Sequence, residues 1–199
     1  MPQQNSDSAL TTQIKHYALH DLNADLIGIA NIERFAQAPL MMSPQGILPT
    51  ARSVIVMAIH HPDVSIELGG EEHPQAIGPY CVQYSMNMRL DEMSYRLGRY
   101  IEALGYTAVP IVSSNIWRYK GYKGLKEHFA PDMSHLHAAV AAGLSELGYC
   151  GLSITQEYGA RQRYVSDITD AVLTPSVLKE PGSVCDNCML CKKASPSGA

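Results

Sequence analysis

The chain has 199 residues, of which 46% are hydrophobic and 17% charged. That balance supports a globular core and excludes bulk disorder. Fifteen Lys and Arg against nineteen Asp and Glu give a formal net charge of −4, so the chain-wide basic footprint of a nucleic-acid or anionic-membrane binder is absent.

No apolar run approaches the ~20 residues that span a bilayer. The opening residues MPQQNSDSALTTQ carry neither a basic n-region nor a twin arginine, which predicts a cytoplasmic protein. There are five cysteines, with Cys185, Cys188 and Cys191 crowded near the end. That is not a secreted disulfide framework; it points to a metal site in a reducing compartment.

Ser8 is placed to cap a helix whose face carries Leu10, Ile14, Tyr17 and Ala18. Residues 25–30 (DLIGIA) read as a short buried strand. Residues 53–59 (SVIVMAI) read as a second one, richer in β-branched side chains. Between them, 38–49 holds Pro39, Pro44, Gly46 and Pro49 and reads as a loop. A long polar connection follows over 62–79. The strongest helix covers 86–104, with Leu90, Met93, Leu97, Tyr100, Ile101 and Leu104 on one face and Gly105 to stop it.

Residues 106–112 read as a strand that Pro110 confines to an edge or a kink. No period is visible over 113–131. Ser134 caps a further helix with Leu136, Ala139, Val140, Gly143, Leu144 and Leu147 on its face and Gly148 just beyond. Residues 149–155 and 163–169 are strand-like, separated by a turn at Tyr158 and Gly159. The class is α+β in the form of an α/β sandwich. A core over 8–174 is followed by a linker and cysteine segment over 175–199.

The segment VCDNCMLCKKASPSGA places Cys185, Cys188 and Cys191 at two-residue gaps, followed by Ser195 and Pro196. Bacterial iron–sulfur runs read C-x2-C-x2-C-x3-C-P. Such gaps on a tight loop direct successive thiolates into one pocket, where backbone N–H groups also reach the sulfides. Zinc sites more often join two separate pairs. An iron–sulfur centre of the 4Fe-4S type is the leading reading, with zinc or a redox dithiol as the alternative. Ser195 stands where the fourth cysteine belongs, so ligation by the run is incomplete. The spare thiols are Cys81 and Cys150.

Upstream, residues 137–175 read HAAVAAGLSELGYCGLSITQEYGARQRYVSDITDAVLTP. This stretch, with the cysteine run behind it, resembles the corrinoid-dependent reductive dehalogenases and, more distantly, the epoxyqueuosine reductases. Their pattern is roughly AAGLGE-G-NGLLITPEYGPR-R-(x)3-TDLPL before CxxCxxCxxxCP. Ala141 to Leu144, Glu146, Gly148, Gly151, Leu152, Ile154, Thr155, Glu157 to Gly159, Arg161, Arg163, Thr169 and Asp170 match it. Ser145, Cys150, Ser153, Gln156 and Ala160 stand for Gly, Asn, Leu, Pro and Pro. Ala171 and Val172 stand for Leu-Pro, and Ser195 for Cys.

The resemblance implies a nitroreductase-like core carrying a corrinoid (cobalamin), with a partial ferredoxin-type segment in which the chain reads as truncated. It implies electron transfer from a cluster to cobalt, and thus an oxidoreductase if active. Gly143, Leu144, Gly148, Gly151, Leu152, Ile154, Tyr158, Gly159 and Arg161 would hold the corrinoid. Glycines let the backbone approach a large amide-fringed ring closely. The expected partners are the corrinoid or a small-molecule substrate and an electron-donor protein, with neither nucleic acid nor membrane. A non-catalytic corrinoid- or flavin-binding module is the alternative function, and a small zinc or redox-switch protein a further one.

His16 and His20 are four residues apart, but they border an apolar stripe and read as a solvated helix face. Proton-donor chemistry in the family draws attention to Tyr80, Tyr84, Tyr119, Tyr122 and Asp132, none of which aligns. Arg118, Lys120 and Lys123 form a basic patch with Trp117, Tyr119 and Tyr122. At this net charge it reads as a solvated loop or a contact to a phosphate-bearing cofactor.

Overall fold

The computed structural model describes residues 7–67, 81–114 and 131–197. The basic aromatic patch, Tyr80 and most of the long connection after Glu67 lie outside the described residues.

Helix α1 spans Ser8–His16 and continues into a wider turn over Tyr17–Asp21. Its cap is Asp7, one residue before the expected Ser8: the Asp7 carboxylate accepts the Leu10 N–H at 2.9 Å. Strand β1 (Leu26–Asn31) leads through tight turns and the short helix α2 (Pro44–Ile47) to β2 (Ser53–His60). Helix α3 is Asp63–Glu67 and the long helix α4 is Val82–Ala103. After β3 (Ala108–Ile111) come α5 (His135–Ala141), β4 (Glu146–Leu147), β5 (Ser153–Ile154), β6 (Gln162–Thr169) and α6 (Leu190–Ala194).

Four strands form one antiparallel sheet in the order β1-β2-β6-β3, and β4 pairs with β5 in a separate hairpin. The sheet is buried on both faces, which explains the unbroken apolar run of β2. Ile55, Met57 and Ile59 face Leu90, Leu97 and Ile101 of α4 and Ile14 of α1. Val54, Val56 and Ala58 face Ala138, Ala139 and Ala142 of α5 together with Phe35 and Met133. Each large aliphatic side chain removed from water contributes about 2 kcal/mol. Tyr17 stacks on Tyr100 at 3.9 Å and ties α1 to α4.

Pro110 sits on the edge strand, as expected of a residue without an N–H. A Cβ at Gly98 would lie 2.7 Å from its ring, so the glycine lets α4 ride close over β3.

Helix α5 ends six residues, nearly two turns, before the Leu147 that the apolar spacing predicts. Gly143, at φ +71°, donates its N–H to Val140 O, and Leu144 donates to Ala139 O. These two bonds form a Schellman stop, with Gly143 as the terminating glycine in place of Gly148. Leu147 therefore belongs to a strand, and regular pairing in the expected strand at 149–155 is confined to Ser153–Ile154.

Asp167 lies on β6 under α4, with no exposed surface. Ser94 donates to its Oδ2 at 3.1 Å, while Oδ1 has no hydrogen-bond partner among the described residues. Burial holds this carboxyl well above the ordinary carboxylate range. The folded state therefore keeps a proton that the unfolded chain releases near pH 4. The stability this provides is complete below that point and is lost as pH rises toward the folded value. Asp167→Asn removes the titration. We expect urea denaturation to show wild type losing stability relative to Asp167→Asn as pH rises above about 4. A pH-independent difference would show that the buried carboxyl is not protonated.

Candidate functional site

The segment after β6 is fixed to the core by its own backbone. Ser53 Oγ donates to Ala171 O at 2.8 Å and accepts the Leu173 N–H at 3.0 Å. Thr11 Oγ1 accepts the Thr174 N–H at 2.8 Å. Ser176 donates its N–H to Ile29 O at 2.8 Å, and Ile29 returns its N–H to Ser176 Oγ at 3.0 Å. This exchange covers the free edge of β1. Arg34 then clamps two carbonyls, Ala141 O at 2.7 Å and Ser176 O at 2.9 Å. Its burial lowers the guanidinium pKa. A Cβ at Gly143 would lie 2.1 Å from Val177 O. The glycine thus admits the protein's own tail.

The tail arrives at the β4–β5 hairpin. There the Glu146 carboxylate accepts three backbone N–H groups, from Gly182 at 2.6 Å, Val184 at 3.0 Å and Cys185 at 3.2 Å. These donors hold its carboxyl below the usual range. Tyr149 donates its N–H to Cys185 Sγ at 3.4 Å. The hairpin thus grips the first cysteine of the run through both its backbone and its sulfur.

Beyond it, Asn187 and Met189 take left-handed backbone, and Asp186 accepts the Cys188 N–H at 3.0 Å. Cys185 is half-buried, while Cys188 and Cys191 are exposed. Among the described residues no three His, Cys, Asp or Glu side chains are drawn to one point. The donor set nevertheless fits a soft metal centre: three free thiols on a curled loop and the first turn of α6, one already accepting an amide N–H as cluster-bound sulfur does.

The same hairpin lines a cavity of about 420 Å³ through Leu152 and Ser153, together with Gln162, Tyr164, Ser113, Met133, Ser134 and His135. It lies where β3 has stopped pairing and the outer edge of β6 is open over 162–165. Arg163 is the one fixed charge among its described lining residues. Asn87 Oδ1 accepts the Arg163 Nε–H at 2.6 Å, and burial lowers the guanidinium pKa.

His135 is buried and neutral in character. Val112 O must accept from Nε2 at 2.8 Å, so Nδ1 takes the Ser166 hydroxyl at 2.8 Å. Burial lowers the His135 pKa. The floor is a set of buried polar groups. Ser153 Oγ is 2.5 Å from Ser145 Oγ and 3.0 Å from the Tyr164 phenol, which accepts Gln162 Nε2 at 2.8 Å. Burial raises the Tyr164 pKa.

A second, more apolar cavity of about 670 Å³ shares the Met133–Ser134 wall and is lined by Phe35, Met42, Val140, Leu147 and Leu178.

The nine residues expected at a corrinoid are dispersed. Leu152 lines the first cavity, and Ile154 sits half-buried beside it in the hairpin. Leu144 is core, packed where a Cβ at Gly28 would collide. Gly143 meets the tail, and Gly148 lies against Ile154. Gly151 and Gly159, both at positive φ, face open space. Tyr158 stacks on His60 at 4.4 Å. Arg161 pairs with Asp63 at 2.8 Å and Glu67 at 3.3 Å, and its hydrogen bond lowers the Asp63 pKa.

Sequence reading matched Glu146 to a pattern but gave it no role, and it missed Arg34 and Ser176. An acid isolated in a Gly- and Leu-rich stretch was the available signal for Glu146. His16 and His20 lie on an exposed face with rings 4.4 Å apart, and Tyr84 is exposed on α4.

No family model matches the chain. It is 31% identical over 144 residues to a tetrachloroethene reductive dehalogenase of Dehalobacter restrictus and 30% identical to one of Desulfitobacterium hafniense. Each match covers 72% of this chain and 22% of the relative, so the chain spans about a fifth of the length of the curated relatives it matches. Among solved structures, a catabolic reductive dehalogenase superposes with TM-score 0.68 at 20% identity, over 99% of this chain and 26% of that one. An epoxyqueuosine reductase solved with a modified tRNA stem loop superposes at 0.62 and 17% identity, over 96% and 52%. The structural likenesses establish the fold. No helix among the described residues is long and apolar enough to cross a membrane.

Glu146→Gln tests the grip on the tail. A carboxylate with a depressed pKa acts above its ordinary pKa and is lost as pH falls through its folded value. At neutral pH the variant should lose about tenfold amide protection at Gly182, Val184 and Cys185, with α4 unchanged. Wild type should lose the same protection below about pH 4. Hydrogen exchange corrected for intrinsic rates reads both.

Proposed function

The chain belongs to the superfamily of reductive dehalogenases and epoxyqueuosine reductases, and on that premise we propose that it is a corrinoid-binding iron–sulfur redox protein. Cys185, Cys188 and Cys191 bind the iron–sulfur centre. The first cavity and its neighbour across the Met133–Ser134 wall receive the corrinoid and a small-molecule substrate, and an electron-donor protein supplies the reducing equivalents. When bound, the corrinoid supplies a cobalt that changes oxidation state by accepting electrons.

The protein's own residues bind and orient. Glu146 and Tyr149 fix the first thiol. Gly151 and Gly159 offer unobstructed backbone to the ring amides, and Leu152 excludes water at the cavity wall. Tyr164, held protonated by burial, keeps a phenolic proton within the hydroxyl floor.

The observation that carries this reading is the double contact of one hairpin. Tyr149 touches Cys185, and three residues later Leu152 lines the cavity. That stretch of backbone spans at most about 10 Å. A metal centre on the run would therefore sit close to whatever fills the cavity.

Anaerobically purified protein should contain iron and acid-labile sulfide with broad absorbance in the visible, and should bind added hydroxocobalamin. Cys188→Ser should lose iron and keep corrinoid affinity. Cobalt uptake without iron would instead support the corrinoid module alone, and bound flavin the flavin module. Zinc as the only metal would sink the proposal.

A further inference from the structure

We infer that Met133 gauges substrate size: it is a movable partition between the two cavities, so that the corrinoid in the first limits the bulk of apolar substrate that the second accepts. The inference rests on the corrinoid reading of the first cavity.

Among the described residues, Met133 and Ser134 are the two that line both cavities. They differ in freedom. Ser134 caps α5: its Oγ accepts the His137 N–H at 3.5 Å and meets His137 Nδ1 at 2.8 Å. Moving it would uncap the helix. Met133 sits one residue outside the cap and is 1% exposed. An unbranched thioether with three rotatable bonds swings its end without moving its Cα. Ala138 and Ala139 of α5, in the same cluster, carry only methyl groups, so little bulk on the helix pins it.

Other walls are firmer. In the first cavity the Tyr164 phenol accepts Gln162 Nε2 at 2.8 Å, and both ring nitrogens of His135 are bonded. In the second, Arg34 clamps Ala141 O and Ser176 O. A large ring entering a space of about 420 Å³ therefore displaces Met133 before it displaces those groups. The open volume on the other side of Met133 is the second cavity, of about 670 Å³, with Phe35, Met42, Val140 and Leu178 in its wall. That lining suits a displaced thioether and an apolar ligand alike. The two compete for the same space, and a bulky ligand loses more than a small one. Linkage makes the effect reciprocal: the ligand weakens corrinoid binding by the factor by which the corrinoid weakens its own.

The test is methyl NMR and titration of the full chain with hydroxocobalamin, the bulky dye anilinonaphthalene sulfonate, and toluene. Leu152 lines the first cavity and Leu178 the second, so their methyl signals report which is filled. In wild type, hydroxocobalamin should weaken dye binding about fivefold or more, the dye should weaken hydroxocobalamin equally, and toluene should change less than about twofold. Met133→Ala, with circular dichroism to confirm folding, should bring the dye coupling under about twofold. Met133→Ile has similar volume but is stiff at χ1, so it should bind hydroxocobalamin more weakly even without dye and also lose the coupling. If hydroxocobalamin binds but wild type shows no coupling, if both variants keep it, or if the dye leaves the Leu178 signal unmoved, the role of Met133 is overturned and the corrinoid reading stands. If hydroxocobalamin does not bind, both fall.

Discussion

The placement of the cysteine segment depends on backbone hydrogen bonding between the tail and the core. A sheet edge, an α5 carbonyl and a single carboxylate each accept or donate where the tail passes. Ile29 and Ser176 exchange bonds, Arg34 bridges Ala141 and Ser176, and Glu146 collects three amides. Individually such bonds contribute about 1 kcal/mol. Their sum matters less than their spacing along the tail, which leaves little slack before Cys185. Without them an exposed, thiol-bearing segment would sample many positions relative to the core. With them, the first thiol is delivered to one hairpin.

That hairpin gives the fold its functional logic. It is too short to be stable alone, with two residues in each strand. It is held by Gly148 packing on Ile154, by the Gly148–Leu152 backbone bond at 2.8 Å and by the polar cluster behind it. One end faces the thiols, the other faces the cavity at the open edge of β6. The contact to Cys185 and the cavity wall are therefore built on a single element of about nine residues.

Much of this was legible in sequence where one rule dominates. The apolar run of β2, the amphipathic α4, the edge position of Pro110 and the cap at Ser134 all read correctly, because burial, periodicity, a missing N–H and a hydroxyl cap each act locally. The end of α5 did not. Gly143 and Gly148 both qualify as helix stops on sequence. What selects Gly143 is the tail backbone, 34 positions later, which occupies the space a side chain would need. The role of Glu146 was hidden for the same reason, since its partners are residues 182–185 and no local pattern names them. Two of the four glycines expected to admit a ring admit the protein itself. At Gly143 the approaching group is the tail backbone and at Gly148 it is the Ile154 side chain, both set by tertiary structure.

The buried hydroxyls at the cavity floor show how departures from a family pattern can be coupled. Ser145 and Ser153 replace Gly and Leu of that pattern, and in space they are each other's partner. Both are almost fully buried. An apolar residue at either position would remove one hydrogen-bond partner from the other hydroxyl, and Ser153 would keep the Tyr164 phenol. A leucine at 153 would also take one partner from the Tyr164 phenol, which keeps Gln162. The two serines therefore belong to one hydrogen-bonded cluster with Tyr164 and Gln162. Of that cluster Ser153, Gln162 and Tyr164 line the cavity, so a molecule seated there meets hydrogen-bonding groups as well as the apolar side chain of Leu152.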